Sequence, residues 1–227
     1  MIRISTGSES FDQFLEGGYE SDIITTIYGP SGSGKTNLCL LAAITMVNNG
    51  KKVVYVDTEG NISVERLKQL SENSTKVLEN CLFLRPTSFE EQKNSFEQLK
   101  KVIDDKIGLI VVDTVSMLYR VERGQSYDPY EIDSDLSTQI SALTEIARKH
   151  NIPILITNQV YDNFNGNGVK MVGGNLLAYS SKCLIELKKA HNNKRVAILK
   201  KHRSISEEKE LSFEIVHSGI KKLALKP

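Results

Sequence analysis

Gly29-Pro30-Ser31-Gly32-Ser33-Gly34-Lys35-Thr36 is a complete G-x-x-x-x-G-K-[ST] octapeptide. The apolar run Ile23-Ile24-Thr25-Thr26-Ile27-Tyr28 leads into it, and a helical pattern beginning Asn37-Leu38-Cys39-Leu40-Leu41 leads out. That setting matters more than the pattern. Backbone N–H groups wrap a triphosphate only where a strand delivers the loop and a helix N-terminus closes it. Gly32 and Gly34 allow backbone angles and close approach that a side chain would block. Lys35 is placed to reach β- and γ-phosphates, and Thr36 to offer its hydroxyl to Mg²⁺. The expected ligand is therefore a nucleoside triphosphate such as ATP, cradled by residues 29–36.

The rest of the composition narrows the class. With 227 residues and 40% hydrophobic content, the chain can bury one good core, and nothing in it demands a second domain. Its 29 Lys and Arg nearly cancel 28 Asp and Glu, so a nucleic-acid surface would have to be a local patch. Cys39, Cys81 and Cys183 lie in apolar stretches without metal-ligand spacing, which reads as reduced core thiols of an intracellular protein. The N-terminal Met1-Ile2-Arg3-Ile4-Ser5 lacks a signal peptide's apolar run, and no apolar segment reaches membrane-spanning length. A cytoplasmic protein without a membrane partner is expected.

Beyond the octapeptide, strands and helices alternate. Asn48-Asn49-Gly50 stops the first helix, Lys52-Val53-Val54-Tyr55-Val56 reads as a buried strand, and residues 64–70 as a short helix. A strand over 81–84 precedes a helix opened by a Ser88/Glu91 capping box, with Phe89, Phe96, Leu99 and Ile103 on one face. Residues 107–112 form the most apolar strand, as a sheet centre buried on both faces requires. Asp128-Pro129 starts a long helix with the stripe Ile132, Leu136, Ile140, Leu143 and Ala147, and Pro153 introduces the strand Ile154-Leu155-Ile156-Thr157. Four short strand candidates follow, around 183–187, 195–199, 211–216 and 220–225. The pattern predicts an α/β fold in one domain, residues 1–227. Its central sheet is mostly parallel and flanked by helices, with antiparallel strands at the C-terminal edge.

Several polar residues fall at strand tips. Asp113 ends Leu109-Ile110-Val111-Val112-Asp113, where a carboxylate beside the P-loop can hold Mg²⁺ through water. Glu59, in Val56-Asp57-Thr58-Glu59-Gly60, can orient and deprotonate water, but a solvated loop glutamate fits the spacing equally and Asp57 competes for the same role. In Thr157-Asn158-Gln159 a neutral amide could sense the γ-phosphate, or Asn158 could simply initiate a turn with Gln159 a bystander. Residues 182–203 hold eight Lys or Arg and one acid, a formal excess of +7. A solvated sheet edge and a phosphate-facing surface explain that excess equally well. Residues 162–168 have the composition of a mobile loop.

These motifs together resemble a RecA-family recombinase core, most closely its archaeal RadB branch. The resemblance covers essentially the whole chain. It rests on Ser5-Thr6-Gly7, Leu15-Glu16-Gly17-Gly18, the P-loop, Val56 to Gly60, Val112-Asp113-Thr114 with Leu118-Tyr119-Arg120, Ile156 to Val160, and Gly173-Gly174-Asn175. It implies a RecA-like P-loop ATPase fold, Glu59 as the water-activating base, and Gln159 as the coupler between γ-phosphate and DNA. It places two DNA-binding loops at about residues 120–127 and 162–170, with Arg120, Arg123 and Lys170 as their cations. The second loop is thin in basic residues, which argues against strong strand exchange. Lys201-His202-Arg203 resembles a Lys-x-Lys or Lys-x-Arg pair that reaches a neighbouring subunit's γ-phosphate. Only 28 residues precede the P-loop, so the resemblance implies that the family's helical N-terminal domain and its polymerising linker aromatic are missing. What is expected is an accessory protein of recombination and DNA repair that binds ATP and DNA and hydrolyses ATP weakly. Its implied partners are single-stranded or branched DNA bound largely without regard to sequence, the RadA recombinase, other recombination proteins, and further copies of the chain. The alternatives are a KaiC-like signalling ATPase and an adaptor that uses ATP only to set its shape.

Overall fold

The computed structural model describes residues 2–162 and 169–223. Strand β1 (Arg3–Ile4), helix α1 (Glu9–Phe14) and strand β2 (Tyr19–Glu20) form an N-terminal cap in which the two strands pair antiparallel. There follow β3 (Ile24–Tyr28), α2 (Lys35–Asn48), β4 (Lys52–Asp57), α3 (Val64–Leu70), α4 (Ser74–Asn80), β5 (Cys81–Leu84), α5 (Phe89–Val102) and β6 (Ile107–Asp113). The middle of the chain gives α6 (Ser116–Gln125), α7 (Pro129–His150), β7 (Ile154–Asn158), the hairpin β8 (Val160–Asp162) and β9 (Val169–Met171), and α8 (Gly174–Ser180). The last part is all strand: β10 (Cys183–Lys189), β11 (Lys194–Lys201), β12 (Glu210–Val216) and β13 (Gly219–Lys222).

The central sheet runs β13-β12-β11-β10-β3-β7-β6-β4-β5. The inner strands β4, β6 and β7 are nearly continuous apolar runs because both faces are covered. On β4 and β6, Val53, Tyr55, Leu109 and Val111 face the core built on α1, α2 and α4, while Val54, Val56, Ile110 and Val112 face the core built on α5, α6, α7 and α8. The alternation follows from the two-residue side-chain period of a strand. Helix α2 lies in the first core and is buried around most of its circumference, from Leu38 through Ile44 and on to Met46 and Val47. Helix α7 shows the expected stripe, with Ile132, Leu136, Ile140, Leu143 and Ala147 buried. Asp128 caps its start by accepting from the N–H groups of Tyr130 and Glu131.

Three sequence expectations need correction. The pattern predicts antiparallel pairing for the strand around 183–187; β10 is antiparallel to β11 but parallel to β3, so it belongs to both parts of the sheet. Helix α8 carries the chain back across the sheet after β7, so the next strand must run the same way. The antiparallel meander runs on from it through β11, β12 and β13. Residues 120–125 are not loop: they are the end of α6. The capping box at Ser88 is also only half reciprocal. Ser88 accepts from the Glu91 N–H, but the Glu91 carboxylate accepts from Thr87 instead. The expected loop at 162–168 falls at 163–168 outside the described residues.

Candidate functional site

Parallel strands present their C-terminal tips together, and here β3, β7, β6 and β4 lie side by side with Tyr28, Asn158, Asp113 and Asp57 at those tips. The crevice above such tips is where this architecture collects polar residues. A cavity of about 290 Å³ lies there, lined by Gly32, Gly34, Lys35, Thr36, Glu59, Asp113 and Gln159 among others. The sequence placed these residues on four separate segments, and the fold brings them to one site.

Residues 29–36 form the floor. Gly34 caps α2 with φ +109°, and a Cβ there would come within 2.9 Å of Ile215 Cδ1. A Cβ on Gly29 would meet the Leu187 carbonyl oxygen at 2.3 Å. Both glycines are therefore required by close packing of the C-terminal strands against the loop. Lys35 is buried, and its ammonium donates to the carbonyls of Gly29 (2.9 Å) and Pro30 (3.0 Å). Burial lowers its pKa, against the opposing pull of the Asp113 and Glu59 carboxylates. A desolvated cation facing two carboxylates across a glycine cradle fits a magnesium-bound polyphosphate. Thr36 and Asp113 line the same cavity as the candidate metal-side groups.

Asp113 is held rigidly. Thr157 Oγ1 donates to one of its oxygens at 2.5 Å and Tyr55 Oη to the other at 3.1 Å. Burial and the Asp113 charge push the Tyr55 pKa well up, so the phenol remains a donor. Glu59 and Asp57 separate clearly. Asp57 is buried and accepts from the N–H groups of Asn61 and Ile62, which shapes the turn. Glu59 instead faces the cavity, where Gln159 Nε2 donates to it at 2.5 Å and Asn61 Nδ2 at 2.6 Å. Asn158 does not face this site; its amide donates to the Val172 carbonyl. Gln159 accepts from the Val172 N–H through its own carbonyl. Its side chain thus touches Glu59 while its backbone grips the base of the β8–β9 hairpin.

The remaining candidates lie elsewhere. Arg120 and Arg123 line a cavity of about 630 Å³ with Tyr119, Asp133, Tyr161 and Gly173. Arg123 is paired there with Asp133 (2.8 Å), which also accepts from Tyr119 Oη (2.6 Å). Lys170 is exposed on β9. Lys201 donates to the Ala178 carbonyl (2.8 Å), and Arg203 pairs with the buried Glu20 (2.5 Å) and with Asp22 (2.8 Å). The basic stretch of 182–203 is not one patch. Because β10 and β11 pair Lys189 with Arg195 at one end and Leu184 with Lys201 at the other, its charges divide between opposite ends of the hairpin. Lys188, Lys189, Lys194 and Arg195 sit at the P-loop end, and Lys182, Lys200, Lys201 and Arg203 at the far end. The three thiols are free and buried, and burial pushes Cys81 and Cys183 up to about 12.

Sequence reading missed Arg195 and Asn61 as lining residues of the P-loop cavity. It also missed Thr157 as the partner of Asp113. Asn192-Asn193 marks a tight turn that could have placed Arg195 on a hairpin, but only strand pairing shows which loop the hairpin tip meets.

A model of the Rad51 family matches residues 1–223. The chain is 42% identical to "DNA repair and recombination protein RadB" of Methanobrevibacter smithii, over 96% of this chain and 95% of that one. It is 43% identical to the protein of the same description from Methanococcus maripaludis strain C7, over 92% and 96%. Among solved structures, "Crystal structure of the RadB recombinase" aligns with a TM-score of 0.83 and 38% identity, over 97% of this chain and 99% of that chain.

Proposed function

The chain belongs to the Rad51 family, in its archaeal RadB group, and from that membership we propose an accessory protein of homologous recombination and DNA repair that binds ATP with Mg²⁺ and DNA. We propose further that it works as a single RecA-like unit in the cytoplasm, hydrolyses ATP weakly and carries out no efficient strand exchange. The observation that carries the nucleotide reading is the gathering of Lys35, Thr36, Asp113, Glu59 and Gln159 around one cavity on the glycine cradle. Lys35 and the loop N–H groups would hold the phosphates, and Thr36 with Asp113 the metal. Magnesium when bound supplies charge neutralisation along the phosphates. Glu59 is the group able to take a proton from water, and Asp57 is spent on its own turn.

Gln159 gives the nucleotide site a route to DNA. It bridges Glu59 and the β8–β9 hairpin that carries Lys170. Arg120, Arg123 and Lys170 would serve as phosphate contacts, with Arg123 exchanging its Asp133 partner for DNA. Lys201 and Arg203 would act in trans on a neighbouring copy's nucleotide, after leaving Ala178 and the Glu20–Asp22 pair. RadA and other recombination proteins are the proposed protein partners. The match of the Rad51 model over residues 1–223 favours recombination over a KaiC-like signalling role.

Titration of single-stranded, duplex and branched DNA, with and without ATP, tests the reading. Binding is expected to tighten with ATP, to depend little on sequence, and to weaken as salt rises through counterion release. A well-folded protein that ignores both ATP and DNA would refute it.

A further inference from the structure

Arg195 stands apart from the other cations of its stretch because its position is built by the chain itself. The β10–β11 turn puts Asn192 and Asn193 at φ +57° and +59°, the hand that a tight two-residue hairpin turn demands and that asparagine tolerates. Lys194 N–H closes the turn onto the His191 carbonyl at 3.3 Å. Arg195 Nη1 then donates back to the Asn193 carbonyl (2.6 Å) and Oδ1 (3.3 Å). Held this way, its Nε and Nη2 reach across to the P-loop and donate to the Gly32 carbonyl at 3.3 and 3.2 Å. Opposite it in register, Lys189 places Nζ 3.3 Å from where a Cβ on Gly32 would stand.

We propose that Arg195 is a nucleotide-binding residue, a fixed cation given in cis by the C-terminal hairpin, which binds the polyphosphate together with Lys35. The inference rests on the nucleotide reading above and assigns that site a residue outside its sequence motif. Arg195 lines the same cavity as Lys35, Thr36 and Asp113. Its guanidinium is a planar fork suited to phosphate oxygens. The Gly32 carbonyl that it touches carries no formal charge, whereas an anionic phosphate oxygen adds direct coulombic attraction to the hydrogen bond. Among the described residues no carboxylate pairs with Arg195, in contrast to Lys188 with Glu186 and Arg203 with Glu20. Lys189 adds positive potential at the same loop.

The test is fluorescence titration of the full chain with N-methylanthraniloyl-ATP and Mg²⁺, alongside melting of the nucleotide-free proteins. Arg195→Met is expected to bind about tenfold or more weakly, the loss of one charged hydrogen-bonding group, with an unchanged melting midpoint. Arg195→Lys is expected to recover part of the loss. Lys188→Ala, at the same hairpin end but paired with Glu186, is expected to match the wild type. Should Arg195→Met melt early, Arg195→Gln, which keeps a donor for Gly32, is read in its place. Wild-type binding retained by the folded neutral variant overturns this inference alone. A wild type that binds no analogue, like Lys35→Ala, overturns the nucleotide reading and this inference with it.

Discussion

Asp57 closes β4 and Glu59 lies two residues beyond it, and their surroundings differ. The Asp57 carboxylate is spent on two backbone N–H groups of its own turn. That of Glu59 is met by two side-chain amides and the Thr114 hydroxyl at the cavity wall. Glu59→Gln is therefore expected to keep ATP affinity and to lose turnover by roughly 10²–10⁴-fold, the usual worth of a general base. Asp57→Asn is expected to lower stability, because an amide is a poorer acceptor for the two N–H groups. Single-turnover hydrolysis and thermal melting of both variants decide; the opposite pattern would make Asp57 the base.

At the scale of elements, the contact between α6 and α7 governs the candidate DNA cations. Hydrogen bonding from Arg123 first, and from Tyr119 as well, holds the Asp133 carboxyl below its ordinary range. A carboxyl whose folded pKa is depressed contributes stability above its unfolded pKa and loses it as pH falls through the folded one. Asp133→Asn is expected to melt slightly earlier than the wild type at neutral pH, with the gap closing once the acid is protonated. The effect is small because both partners are well exposed and solvent-screened. The same variant releases Arg123, so DNA affinity is expected to rise modestly at low salt. A wild type and variant that melt apart equally at neutral and strongly acid pH would exclude the ion pair as the cause.

At the scale of the molecule, the hairpin end carrying Lys201 and Arg203 is where association with a second copy should register. Arg203 neutralises Glu20, whose side chain is fully buried, jointly with Arg3. Removing Arg203 would leave that carboxylate short of a partner, and such losses are costly. Lys201→Ala is the cleaner probe, since Lys201 touches only a carbonyl among the described residues. In the wild type, hydrolysis per molecule is expected to rise with protein concentration. In Lys201→Ala that rise is expected to vanish while DNA binding persists. Loss of DNA affinity without any change in the concentration dependence would move Lys201 to the DNA surface.

Much of this is legible in the sequence alone. The octapeptide at 29–36, the apolar runs of β4, β6 and β7, and the stripe of α7 each encode their state locally. Short-range sterics, helix capping and side-chain period suffice for such features. The Asp113 tip was readable for the same reason. Other features depend on contacts between segments far apart in sequence. That Glu59 faces the cavity while Asp57 is taken up by its turn depends on contacts as distant as the one with Gln159, a hundred residues away. The parallel direction of β10 required seeing α8 cross the sheet. The charge run at 182–203 looks continuous along the chain, yet antiparallel pairing sends half of it to the P-loop and half to the opposite end. Local sequence carries conformational preference; which charges become neighbours is settled by strand order and register, and those depend on the whole core packing at once.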